Sequence, residues 1–135
     1  MSGFQVLLIA GTHGNEINAP WLIDSWIKKS KDFEINGIKV VPVKGNPEAL
    51  KVGKRYLDRD LNRCFCTELL SDSSIHEYEV MRARELISLY GPNGDNPCKL
   101  AIDLHSTTAS MGSSLVLYGR RPCDLALASL IQSQL

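Results

Sequence analysis

Residues 11 to 16, GTHGNE, place an imidazole (His13) and a carboxylate (Glu16) three positions apart in a glycine-rich turn that directly follows the apolar run FQVLLIA. A turn needs glycine and asparagine for its backbone angles, but it has no need of a histidine and a glutamate. Both side chains are accepted zinc ligands, and at this spacing they can converge on one point. A catalytic zinc takes three protein ligands and keeps a fourth position open, so a second histidine must come from elsewhere. The chain has three histidines in all. His76 falls in a polar stretch read as the solvent face of a helix. His105 ends the apolar segment KLAIDLH and heads the loop HSTTASMG, the position from which side chains reach a cleft, and is the expected partner.

A second group is the run KRYLDRDLNR, residues 54 to 63. Arg55, Arg59 and Arg63 carry planar guanidinium forks that grip carboxylates with paired hydrogen bonds, and Asn62 adds an amide. Each signal has a bland counterpart. His13 and Glu16 alone read equally as a loop histidine and a first-turn glutamate favoured by the helix dipole. The arginine run reads equally as a solvated charge cluster with Asp58 and Asp60 as internal partners. A phosphate cradle is disfavoured, because the turn contains neither GxGxxG nor GK followed by Ser or Thr.

The elements that must position these groups follow from the apolar pattern. Phe4 to Ala10 is a short continuous apolar stretch ended by glycine, as in a strand buried on both faces. Ile17, Trp21, Ile23, Trp26 and Ile27 recur mostly at helical spacing, with lysines at the C-terminal end where a helix dipole favours them. GIKVVPVKGNP reads as a second strand with Pro42 demanding an edge or an irregularity, and Asn46-Pro47 as an N-cap and first-turn pair for a short helix ending near Gly53. The segment SIHE predicts a capping box for a helix from Ser74 to Tyr90. KLAIDLH is the next strand, and SSLVLYG, about eight residues on, is expected to pair with it antiparallel, since so short a link rules out a parallel crossover. The fold class predicted is α/β, a mixed sheet flanked by helices with ligand-bearing loops at strand ends.

Bulk properties narrow the partners. The 135 residues suit one domain, with 44% hydrophobic and 22% charged positions. Fifteen basic and fifteen acidic residues cancel, so no net field steers the chain to nucleic acid or anionic lipid. No apolar run approaches a membrane span, and no signal-peptide pattern precedes the first strand. Cys64, Cys66, Cys98 and Cys123 form no CxxC pair or disulfide framework, which points to reduced thiols and a cytoplasmic location.

Three stretches, taken in order, resemble one family: GTHGNE after the first strand, RYLDRDLNR in the middle, and DLHSTT around the second histidine. All three are similar to motifs of the succinylglutamate desuccinylase and aspartoacylase family, zinc deacylases related to the carboxypeptidase A superfamily, and the last two look more like its aspartoacylase branch. The resemblance runs from Val6 onward. It implies a zinc-carboxypeptidase-like fold, with residues 1–135 as the N-terminal part of the catalytic domain. It implies one zinc per subunit held by His13, Glu16 and His105, and substrate contacts from Arg55, Asn62 and Arg63, with Arg55 on the carbonyl side. Asp103, two residues before His105 and on the same strand face, is a candidate for orienting it from behind.

The implied reaction is zinc-assisted hydrolysis of an N-acyl-L-aspartate, with deacylation of other N-acyl amino acids or of succinylglutamate as alternatives. The partner is then a small N-acyl amino acid, with no nucleic acid or membrane, and a homo-oligomer is allowed. In the family a glutamate beyond the second histidine serves as general base, and no glutamate follows Glu85 here. PCDLALASLIQSQL keeps helical periodicity to the last residue without a cap. Together these predict that the chain is truncated at its C-terminal side and lacks the base. The competing class is a non-catalytic zinc- or anion-binding domain.

Overall fold

In the computed structural model, residues 4–29, 34–35, 37–110 and 112–134 are described. Strand β1 (Phe4–Ala10) leads into helix α1 (Asn18–Lys29). A two-residue strand β2 (Glu34–Ile35), strand β3 (Ile38–Lys44) and helix α2 (Pro47–Val52) follow. A single 3-10 turn (Leu61–Arg63), helices α3 (Thr67–Ser71) and α4 (Tyr78–Tyr90), strand β4 (Leu100–Leu104) and helix α5 (Pro122–Gln132) complete the order. None of the helices among the described residues is long and apolar enough to cross a membrane.

The strands form one sheet in the order β2-β3-β1-β4. β1 is paired along both sides, parallel to β3 on one and to β4 on the other, the setting in which the unalternating apolar run Val6 to Ala10 is expected. Leu8 stands opposite Pro42, and β2 reaches only Ile38 and Lys39 of β3. Pro42 therefore lies where the outer side of β3 has no ladder to donate to, the tolerance expected of an edge position. The sheet is mixed, as expected, but its antiparallel pair is β2 with β3.

Two expectations are corrected. SSLVLYG forms no strand: residues 112–117 carry no ladder, and Val116 and Tyr118 are 75% and 94% exposed. An apolar, β-branched stretch becomes a strand only where an edge meets it in register, and the antiparallel pairing with β4 is not made. The helix expected from Ser74 begins instead at Tyr78, and the capping box is not formed. Ser74 turns back to Asp72, to which both its amide and its hydroxyl donate. The Tyr78 amide donates to the carboxylate of Asp58 at 2.8 Å, so a residue twenty positions earlier terminates the helix. His76 lies exposed just ahead of α4, not on it.

The Asn46 cap is formed as read: its side chain accepts from the Ala49 amide, and Gly53 closes α2. The core cluster packs the 3-10 turn against α4 through Leu61, Cys64, Val80, Ala83 and Leu86, with Val43, Leu69 and Tyr90 around it. All four cysteines are free thiols.

Candidate metal centre

β1 and β4 run parallel with Ala10 opposite Leu104, so both strands deliver the chain to the same edge of the sheet. His13 follows three residues after one end and His105 one residue after the other. Their rings stand 4.9 Å apart between centroids, tilted by 53°. Sheet register thus brings together two histidines separated by 92 positions.

The loop carrying His13 is stitched to its surroundings through the backbone. Gly11 takes a φ of 69°, a left-handed conformation natural to glycine. The Gly45 amide donates to the Ala10 carbonyl and the Asn46 amide to that of Gly11, both at 2.9 Å, while the Gly14 amide donates to the Arg55 carbonyl at 3.1 Å. Gly14 lies so close to α2 that a Cβ there would sit 2.1 Å from the carbonyl carbon of Ala49. The result is a buried loop, with His13 only 4% exposed.

The polar atoms pair in a consistent way. His13 Nδ1 lies 2.7 Å from Glu16 Oε1, and His105 Nδ1 lies 3.1 Å from Glu16 Oε2. The opposite ring nitrogens each face an aspartate: His13 Nε2 is 3.1 Å from Asp60 Oδ1, and His105 Nε2 is 2.8 Å from Asp103 Oδ2. Both imidazoles therefore turn Nδ1 inward to one carboxylate and give Nε2 to another, the arrangement in which an outer carboxylate sets the tautomer of a metal-ligating histidine. Asp103 is itself held by the Thr12 hydroxyl, 2.9 Å from both carboxylate oxygens. The Ser106 amide donates to Glu16 Oε2 at 2.7 Å.

One ligand atom from each of His13, Glu16 and His105 lies within 4.8 Å of the others. Tetrahedral zinc with bonds of about 2.0–2.1 Å places its ligands roughly 3.3 Å apart, so small adjustments would seat the ion among these three groups. Two imidazoles and one carboxylate, with no cysteine, form a donor set that fits zinc and leaves a corner open.

Charge follows the geometry. Burial pushes the Glu16 carboxyl up, but the Ser106 amide and the two imidazoles outweigh it and hold the group below its ordinary range. Burial likewise opposes ionisation of Asp60, and the bond to His13 with help from Asn62 and Arg55 holds it low. The hydrogen bond to Asp103, against some desolvation, raises His105 above its ordinary value.

The arginines divide. Arg55, half exposed, reaches Asp60 Oδ2 with Nη2 at 3.2 Å and approaches Glu16 Oε1 to 3.9 Å with Nη1, so its guanidinium lies beside both carboxylates. Arg59 is turned away and forms a forked pair with Glu77. Asn62 and Arg63 lie on the 3-10 turn just after Asp60, Arg63 exposed. Among the described residues no ion pair or hydrogen bond joins either side chain to His13, Glu16 or His105.

Sequence reading missed Thr12, Asp60 and Glu79. Thr12 and Asp60 lie inside the motifs, Asp60 read only as a partner for the arginines, and nothing in their spacing pointed to Asp103 or His13. Glu79 offered a clearer sign: it falls on the helical stripe of Ala83, Leu86 and Tyr90, where an apolar residue is expected, and it is fully buried.

Residues 2–134 match the family model described as the succinylglutamate desuccinylase/aspartoacylase catalytic domain. Over all 135 residues the chain is 62% identical to a probable aspartoacylase of Prochlorococcus marinus strain SARG and 56% identical to one of Synechococcus sp. strain CC9605; it spans 44% of each of those proteins. The crystal structure of murine aminoacylase 3 superposes with a TM-score of 0.67 at 35% identity, covering 78% of this chain and 36% of the murine one. That of the succinylglutamate desuccinylase from Chromobacterium violaceum, at 24% identity, shares the fold with a TM-score of 0.60 over 78% of this chain and 34% of its own.

Proposed function

The chain belongs to the succinylglutamate desuccinylase/aspartoacylase family, and from that premise we propose that it forms the metal-holding part of a cytoplasmic zinc deacylase that hydrolyses N-acyl-L-aspartate to a carboxylate and L-aspartate. The observation that carries this reading is the convergence of His13 Nδ1, His105 Nδ1 and the Glu16 carboxylate behind which Asp60 and Asp103 stand. One zinc ion per subunit, bound there, would supply Lewis acidity to polarise a carbonyl and acidify water.

The remaining roles belong to side chains of this chain. Arg55, half exposed beside Glu16, orients and polarises the amide carbonyl. Asn62 and Arg63, one turn further on, receive the carboxylates of the amino acid. Asp60 and Asp103 accept the Nε2 protons and so keep Nδ1 free for the metal. No general base is assigned among the glutamates held by partners: Glu48 faces Lys51, Glu77 faces Arg59, Glu85 faces Arg82, and Glu79 is enclosed by four donors. Proton transfer from water to the leaving nitrogen is accordingly assigned to none of these four.

A second reading is deacylation of other N-acyl amino acids, favoured by the likeness to murine aminoacylase 3. Metal analysis and turnover test both. The 135-residue chain should bind about one zinc and hydrolyse N-acetyl-L-aspartate poorly. A panel of N-acyl amino acids presented to the protein at the length of its relatives separates the substrates. Failure of the chain to retain zinc with His13, Glu16 and His105 intact would overturn the proposal.

A further inference from the structure

The loop of residues 54–63 has no ladder or helix to hold it until the 3-10 turn, and Leu57, Asp58 and Arg59 are exposed residues. Yet their three consecutive amides all point inward to one acceptor. Leu57 N–H donates to Glu79 Oε1 at 2.7 Å, and the amides of Asp58 and Arg59 donate to Oε2 at 3.0 and 3.1 Å. The fourth donor is Asn46 Nδ2, 3.0 Å from Oε1. Glu79 and Asn46 are both 0% exposed, so this is a carboxylate whose entire shell is supplied by the protein.

The placement of those donors gives the cluster a direction. Asn46 also donates its backbone amide to the Gly11 carbonyl, at the root of the loop that carries His13 and Glu16. Residues 57–59 lead straight into Asp60, which touches His13 Nε2, and follow Arg55, whose carbonyl accepts from Gly14. Around the same point Asp58 accepts from the Tyr78 amide and Arg59 pairs with Glu77, so loop and helix start interlock in both directions. One buried anion on α4 is thereby tied to the segments that reach His13 from both sides.

We propose that Glu79 is a positioning residue for this centre: its buried carboxylate fixes the backbone of residues 57–59 and the Asn46 turn, and so sets Asp60 against His13 and Arg55 over Glu16. The effect on metal rests on the reading of His13 as a zinc ligand; the clamp on the loop does not. Burial alone would drive the carboxyl toward its neutral form, but the Leu57 amide, Asn46 and the other two amides hold it below its ordinary range, so it accepts at all four contacts. A neutral amide in its place accepts through one atom only and turns an NH2 toward donors.

Amide hydrogen exchange and zinc titration against a chelating indicator, on the same full chain, test this. In the unsubstituted protein the amides of Leu57, Asp58 and Arg59 should exchange at least about tenfold more slowly than exposed coil amides near Tyr118. Glu79→Gln should abolish that protection and weaken zinc binding roughly tenfold or more. Leu86→Ala, a cavity in the same helix and core cluster, should lower Tm while leaving both readouts unchanged. Free exchange at residues 57–59 in the unsubstituted chain, or zinc affinity in Glu79→Gln equal to that in Leu86→Ala, overturns the proposal. Where Glu79→Gln does not fold, Glu79→Asp supplies the second variant, expected to show partial loss of both. Protected amides in a chain that binds no zinc would sink the zinc reading and leave the clamp standing.

Discussion

The two imidazoles of the candidate centre do the same thing in opposite surroundings. His13 sits in a loop enclosed by α2, the Arg55 carbonyl and the Asn46 turn, and is almost fully buried. His105 closes an outer strand, and the described residues after it, through 118, are exposed at every position but Ser106. Both rings nonetheless have the same two contacts, Nδ1 to Glu16 and Nε2 to an aspartate. The difference teaches how orientation is secured. On the His13 side the backbone is immobilised by packing and buried hydrogen bonds. On the His105 side the work falls to side chains, with Thr12 holding Asp103 and Asp103 holding the ring.

The comparison can be broken most severely on its rigid side. His13→Ala should reduce zinc affinity by more than the roughly 10–100-fold that loss of an orienting partner costs, because it removes a proposed ligand outright. Gly14→Ala should act without touching His13, Glu16 or His105. Its Cβ would fall 2.1 Å from the Ala49 backbone, forcing the loop off α2, at a stability cost of about 3 kcal/mol by urea unfolding and with weakened zinc binding.

On the side-chain-dependent half, Asp103→Ala should weaken zinc binding by about 10–100-fold in the same titration, with a small change in Tm. An unchanged affinity would mean that β4 alone orients His105. The pH dependence separates the halves further. Glu79, held below its ordinary value of 4.5, contributes stability to the metal-free chain that is present above that value and is lost as pH falls through its lower folded-state pKa. Urea unfolding across pH 3 to 7 should therefore show Glu79→Gln less stable near neutrality, with the two curves converging in acid. The smallest effect belongs to the exposed side: Tyr118→Ser, at a position 94% exposed, should shift stability by less than about 0.5 kcal/mol and leave zinc binding intact.

Much of the fold was legible because its signals are local. The unalternating apolar run of β1 matched an inner parallel strand, Pro42 matched an unpaired stretch of β3, and Asn46-Pro47 with Gly53 bounded α2 as read. The readings that failed were those in which a distant partner decided the outcome. SSLVLYG has strand-forming residues but no ladder, and the SIHE cap lost to Asp58, which no window around Ser74 contains. In the arginine run Arg55 meets Asp60, an internal partner of the kind a charge cluster implies, and Arg59 meets Glu77 outside the run.

What the sequence by itself determined is the chemistry on offer: which residues can ligate, grip or turn, and at what spacing along the chain. His13 and Glu16 could be paired from sequence because three residues of a single turn separate them. His105 was the expected third member and Asp103 its expected support, but that the strand register brings them to Glu16, that Asp60 faces His13, and that Glu79 lies beneath the loop were decided by tertiary structure. Parallel register carries β1 and β4 to a common edge, and a buried carboxylate must collect whatever amides the fold brings within reach, however far apart they stand in the chain.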